Sequence, residues 1–213
     1  MNATITKSTP APASDLGEPT WQIAYLFPNQ GAWSEEEYLA LKTNNLVEFS
    51  DGYIEVLAMP TTSHQLILIF IFEALKAFVV RRKLGTALLA AVRIRLWPGK
   101  FREPDIFFML RQNAGRIGDK FWDRADLVME VVSDSPDDRE RDLVTKRAEY
   151  ARARIPEYWI VDPQEGRITV LRLEGDRYVV LGEFLKGSKA SSVLLPGFVV
   201  DVTEAFAAGA EIE

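Results

Sequence analysis

Three residues in this sequence carry types and spacing that could do chemistry together: Asp105, Glu130 and Lys146. Glu130 lies in the run Leu127–Val132, where residues two apart share a face of a strand. Leu127, Met129 and Val131 face one way, and Val128, Glu130 and Val132 the other. A carboxylate flanked by valines needs a cation, a proton or a hydrogen-bond partner, because burying an isolated charge is costly. Asp105 opens a second strand, ahead of Ile106, Phe107, Phe108 and Met109, with Pro104 tolerated because it precedes the ladder. If the two strands pair, the carboxylates approach each other. At ~4 Å and an effective dielectric of ~20 they repel by ~4 kcal/mol, an arrangement that invites a divalent cation. Mg²⁺ suits such a pair, since it is commonly held by one or two carboxylates and keeps several waters.

Helical spacing then sets Asp142, Lys146 and Tyr150 in successive turns. Lys146 borders an apolar arc of Tyr150, Leu143, Ala151, Val144 and Ala148, from which a lysine can reach across a sheet surface. Arg147 falls inside that arc, with its stem packed and its head in water. A structural reading competes with the chemical one. In it, Asp105 and Glu130 form salt bridges to Lys146, Arg93 or Arg95, and Lys146 pairs with Asp142 on a solvated helix. Arg93 and Arg95, alternating on one strand, read either as phosphate contacts or as an ordinary solvent face.

The elements that must position these residues are legible from caps, turns and periodicity. Ser34 caps a short helix opening with Glu35, Glu36 and Glu37. Leu46–Val56 reads as a hairpin around Asp51-Gly52. Ser63 is the expected cap of a long helix to about Arg82, ended by basic residues and Gly85. One strand is expected over Ala87–Leu96, a second from Pro104 and a third over Leu127–Val132. Ser135, Pro136, Asp137 and Asp138 then start a helix that runs to about Arg154. Tyr158–Val161 is a strand, Ile168–Leu173 and Tyr178–Leu185 form a hairpin about Gly175, and a short strand lies near Phe198–Val202. The order is helix, three strands, helix, strand with accessory hairpins, which predicts a mixed α/β fold. Residues 1–20, rich in Thr, Ser, Pro and Ala, read as a flexible tail before a single domain over 21–213.

Composition narrows the function classes. The chain has 213 residues, 47% of them hydrophobic, enough for one sizeable core. A net charge of -6 argues against a protein that coats nucleic acid through bulk electrostatics, so any DNA contact must be local. Cysteine is absent, which removes thiolate sites, and His64 is the one histidine, which removes multi-histidine metal sites. The longest apolar run, Leu66–Phe72, is far short of the ~20 residues that cross a bilayer. No secretory signal pattern opens the chain, and a soluble, cytoplasmic protein without a membrane partner is expected.

Four stretches carry a family resemblance: "EPDIFFML", "DLVMEVVS", "RDLVTKRAEYARARIPEYWIVDP" and, upstream, "VEFSDGYIEVLAMPTTSHQ". Together, over Trp33 to Asp162, they resemble the Uma-type restriction endonucleases, a family of the PD-(D/E)xK nuclease superfamily. The resemblance implies a restriction endonuclease-like core of helix, three-stranded meander, helix and strand. It implies Mg²⁺, or Mn²⁺ in its place, held by Asp105, Glu130 and the main-chain carbonyl of Val131. Lys146 would position or polarise the attacking water, with Glu48 and His64 on matching accessory positions. The implied reaction is hydrolysis of DNA phosphodiester bonds, and the implied assembly a homodimer.

Three features depart from the family pattern. The superfamily's usual lysine position, two residues after the glutamate, holds Val132, so the lysine must come from the next helix. Arg154 stands where a glycine often precedes "PEYW", and the loop between Ser133 and Asp142 is long. The alternative to a Mg²⁺-dependent endonuclease is therefore a catalytically inactive relative that keeps the fold as a DNA- or protein-binding module.

Overall fold

The computed structural model describes residues 27–43, 45–133 and 135–210; the tail expected over residues 1–20 lies outside the described residues. In chain order the first elements are α1 (Glu35–Ala40), β1 (Val47–Ser50), β2 (Tyr53–Val56) and α2 (Thr62–Arg82). Next come β3 (Gly85–Leu89), β4 (Arg93–Trp97), β5 (Lys100–Arg102), β6 (Ile106–Leu110), β7 (Phe121–Asp123) and β8 (Leu127–Val131). A helical run follows as α3 (Pro136–Glu140), a π-helical turn (Arg141–Thr145) and α4 (Lys146–Arg152). The chain continues through β9 (Glu157–Asp162), β10 (Arg167–Glu174), β11 (Arg177–Leu185), β12 (Lys189–Ser191), β13 (Val199–Asp201) and α5 (Val202–Ala210).

The larger sheet has the order β11-β10-β9-β8-β6-β3. Its meander β3–β6–β8 is antiparallel, and the helical run returns the chain so that β9 lies parallel to β8. β8 and β9 are buried at every position, as expected of a parallel pair covered on both faces. One face carries Met129, Val131, Trp159 and Val161 under α2 and α5; the other carries Val128, Ile160 and Tyr158 under Tyr150 and Ala151 of α4. The alternation expected for Leu127–Val132 is the one observed. A smaller sheet, β2-β1-β5-β4-β7, stands beside it around Tyr38, Phe49 and Phe101.

Several elements differ from their sequence expectation for identifiable reasons. Thr61, not Ser63, caps α2: its extended backbone lets the hydroxyl accept from the His64 N–H at 3.1 Å. Ser63 thus falls inside the first turn. The strand expected over Ala87–Leu96 is two strands in different sheets, because the chain turns a corner at Ala90 and Ala91. The π turn adds a residue to one helical turn and shifts the phase. Asp142, Lys146, Tyr150 and Ala151 consequently face inward, while Val144 and Ala148, expected in the apolar arc, are exposed. The last strand gives way at Val202 to α5, whose Gly209 lies against Ile67 and Ser63 of α2.

Helix α2 is long and apolar enough to cross a membrane by length and composition. In this fold its buried side, with Ile67, Leu68, Ile71, Leu75, Phe78 and Val79, covers the larger sheet.

Register at the sheet edge gives a test. A Cβ added at Gly85 would stand 1.9 Å from the carbonyl oxygen of Met109 on β6. Gly85→Ala should destabilise the chain by about 2 to 3 kcal/mol, read as a lower urea midpoint at unchanged slope. Wild-type stability in that variant would contradict the β3–β6 pairing.

Candidate active site

Continuing the β6–β8 register from Ile106↔Met129 by one residue sets Asp105 across from Glu130. Asp105 Oδ2 accepts from the Val131 N–H at 2.8 Å, so the carboxylate takes a backbone donor at the end of the strand pairing. The Val131 carbonyl oxygen lies 2.9 Å from Nε2 of His64, and that nitrogen stands 3.4 Å from Asp105 Oδ2. His64 reaches this place because Thr61 starts α2 just beside the mouth of the sheet.

Glu130 points to the face covered by the helical run. Tyr150 donates its hydroxyl to Glu130 Oε1 at 2.5 Å. Nζ of Lys146 lies 3.0 Å from Glu130 Oε2, 3.1 Å from Asp142 Oδ1 and 3.9 Å from Glu48 Oε1. Behind Lys146, Glu48 is fully buried on β1, accepts from the Glu103 N–H at 3.2 Å, and pairs with Arg102 of β5. Arg102 in turn donates to both oxygens of Glu149, at 2.7 and 2.9 Å. The lysine on α4 is thereby tied through Glu48 and Arg102 to the smaller sheet and back to α4.

Five of the residues singled out in the sequence line one small cavity: His64, Asp105, Glu130, Val131 and Lys146, with Asp142, Arg141 and Glu103. Its volume is about 50 Å³, room for an ion and a few waters but not for a nucleobase. Glu48 does not line it and sits beneath Lys146. A wider cleft of about 440 Å³, lined by Pro60, Thr61, Ser63, His64, Ser133 and Gln164 among others, opens beside it. His64, Ser133, Pro60 and Asp138 border both.

The electrostatics follow from burial. Desolvation pushes the Glu130 carboxyl up to about 8, with Asp105 and Asp142 adding repulsion and Lys146 and Tyr150 pulling the other way. For Lys146 desolvation opposes charge, but Glu130, Asp142 and Glu48 outweigh it and hold the ammonium more tightly than in water. Burial likewise works against ionised Glu48, yet Lys146 and Arg102 bring its pKa below the usual carboxylate range. Burial disfavours protonated His64, and Asp105, the Val131 carbonyl and Glu130 more than compensate, raising its pKa.

Among the described residues no three Asp, Glu or His side chains converge as a closed metal cage. The oxygen donors at hand are Asp105, Glu130 and the Val131 carbonyl, a hard-ligand set that leaves further positions to water, as Mg²⁺ commonly requires. The His64 nitrogen between the Val131 oxygen and Asp105 Oδ2 marks a spot where positive charge is favoured, so the residues fit a divalent cation.

Sequence reading missed Tyr150 as the partner of Glu130 and the Arg102–Glu149 link entirely. Their contacts span sequence gaps of 20 and 47 residues and leave no local signal. Arg93 and Arg95 are already engaged. Arg93 pairs with Glu103 at 3.2 Å and lies over the Tyr38 ring, and Arg95 lies over Phe121 and 3.7 Å from Asp123.

An antiparallel meander extended in parallel across a helix, with carboxylates at its mouth, is a restriction endonuclease-like α/β core. The chain belongs to the Uma2 family, whose model, described as "Putative restriction endonuclease", matches residues 35–203. That match continues beyond Asp162 through the β10–β11 hairpin to the start of α5. Among solved structures, the chain is similar to one described as a "putative nuclease belonging to DUF820" from Anabaena variabilis ATCC 29413. The two superpose with a TM-score of 0.67 at 18% identity, covering 83% of this chain and 99% of the other, which shows a shared fold. No curated protein matches the chain.

Removing Glu48 tests the buried network. Glu48→Ala leaves Arg102 and Lys146 without their shared carboxylate and should cost about 3 to 5 kcal/mol in chemical denaturation. The folded carboxyl titrates below its unfolded value of ~4.3, so its contribution is present above that pH and lost as pH falls through the folded value. Acid unfolding of the wild type should therefore be steeper below about pH 4 than that of Glu48→Gln. A cost under about 1 kcal/mol for Glu48→Ala would mean that water already solvates these charges.

Proposed function

We propose that this chain is a Mg²⁺-dependent endonuclease that hydrolyses DNA phosphodiester bonds at the cavity lined by Asp105, Glu130 and Lys146. The observation that carries this reading is the meeting of two strand carboxylates, a main-chain carbonyl and a charged lysine in one space of ion size. Asp105, Glu130 and the Val131 carbonyl would hold the cation. Bound there, Mg²⁺ or Mn²⁺ supplies charge neutralisation at the scissile phosphate and acidifies a water.

The chain's own residues divide the remaining work. Lys146 stays protonated in its carboxylate surround, so it serves as a charged donor that orients water and meets developing phosphate charge, and not as a general base. Tyr150 fixes one oxygen of Glu130 and keeps that carboxylate aimed at the cavity. His64, on the wall shared by cavity and cleft, holds Asp105 and the Val131 carbonyl in place from the substrate side. With a net charge of -6, the chain must engage DNA locally at the cleft. Two copies acting as a homodimer complete the reading.

A second reading is a nuclease fold that binds DNA or protein without cutting. It is favoured by the Lys146–Glu130 ion pair at 3.0 Å, which neutralises part of the site internally, and by Val132 in the superfamily's lysine position.

Purified protein incubated with plasmid and with single-stranded DNA separates the two. Cleavage should require Mg²⁺ or Mn²⁺ and stop with chelator. Asp105→Ala, Glu130→Ala and Lys146→Ala should each lower the rate by about 100-fold or more with unchanged circular dichroism. Activity indifferent to all three substitutions would move the chemistry elsewhere, and DNA retention without cleavage in the wild type would favour the binding module.

A further inference from the structure

Helix α2 buries one side and leaves the other uncovered among the described residues. On that other side Ile69 is 42% and Val80 63% exposed. With Phe72, Ala77 and Leu89 they line a shallow apolar groove of about 520 Å³, crossed by Glu73 and Lys76. Apolar surface gathered in one patch and edged by charge marks an interaction site. Lys76 lies 5.5 Å from the centre of the Phe72 ring, and among the described residues no ion pair joins Glu73 or Lys76 to its own protomer. Leu89 belongs to β3, the edge strand of the larger sheet, and a sheet edge of this kind needs cover.

The order of residues on this face identifies the cover. From the middle of α2 outwards the pairs are Glu73 and Lys76, then Phe72 and Ala77, then Ile69 and Val80. Each pair is centred on the same point of the helix. A twofold axis through that point lays a second α2 antiparallel on the first, with apolar residues on apolar residues and acid on base. An isologous contact requires this self-complementarity.

We infer that this face is the interface of a homodimer, two α2 helices packed antiparallel about an axis between Glu73 and Lys76. Ile69 of each copy meets Val80 of the other, Phe72 meets Ala77, and Glu73 pairs with Lys76 twice. The two ion pairs select the antiparallel arrangement, since a parallel one in register would set Glu73 on Glu73. The inference rests on the homodimer of the functional reading and adds its surface. His64 lies near the N-terminus of α2, about 16 Å along the helix from the axis at 1.5 Å per residue. The two cavities are then separated by about 30 Å along the paired helices, close to one turn of duplex DNA.

Sedimentation velocity of the full chain over a range of concentrations tests this. The wild type should be a dimer. Glu73→Lys and Lys76→Glu should each weaken association by about tenfold or more, and the doubly reversed chain should regain it. Val80→Glu should be monomeric with unchanged circular dichroism. A wild type that stays monomeric at the highest concentration reached overturns the inference together with the homodimer, and leaves the face to a different occupant such as a lipid surface. A dimer that tolerates Val80→Glu and both single reversals overturns the surface alone. DNA cleavage, assayed separately, bears on neither outcome.

Discussion

A lysine with 3% of its surface exposed cannot remain charged unless the protein supplies what water would have given it, and Lys146 has that supply from three directions. Glu130 comes from the central strand, Asp142 from the preceding helical turn, and Glu48 from the smaller sheet. Each of these carboxylates is itself buried. The cluster is therefore mutually supporting: removing Glu130, Asp142 or Glu48 takes from Lys146 one of the charges that hold its ammonium, while Glu48 keeps Arg102 as a second partner. That mutual dependence ties the smaller sheet to the larger one and positions the walls of the cavity.

The same arrangement leaves the cavity poised. Carboxylates outnumber the cations that face it directly, and the raised pKa of Glu130 records how reluctantly the site carries its own charge. In the proposed function a divalent cation would relieve that excess, and a phosphate arriving with it would meet a protonated lysine. On that reading an acidic chain would bind a polyanion at one point while repelling it elsewhere, by a local, cation-mediated contact and not by broad electrostatic adhesion.

Helix α2 serves several of these ends at once. Its inner side closes the hydrophobic core on the larger sheet, its first turn delivers His64 to Asp105 and Val131, and its outer side carries the self-complementary face. A helix long and apolar enough by composition to cross a membrane here packs one side on the sheet, while its other side carries Ile69, Phe72 and Val80 among Glu73 and Lys76, the face inferred to meet a second copy.

What the sequence determined by itself was local or periodic. The alternation of Leu127–Val132 showed that Glu130 shares its face with valines, the Ser34 cap and the Asp51-Gly52 turn marked their elements, and the family strings carried Asp105 and Lys146 to one site. Those signals are legible because strand pleat, capping and turn chemistry act over a few residues. Only the tertiary structure decided the rest. Thr61 displaced Ser63 as cap through its backbone conformation. The π turn chose which side of the helix Lys146 faces, and the corner at Ala90 split one expected strand between two sheets. The partners Glu48, Arg102 and Tyr150 reached the site from distant parts of the chain. Such contacts depend on where the packed layers bring side chains in space, and a charge's partner across tens of residues leaves no periodicity to read.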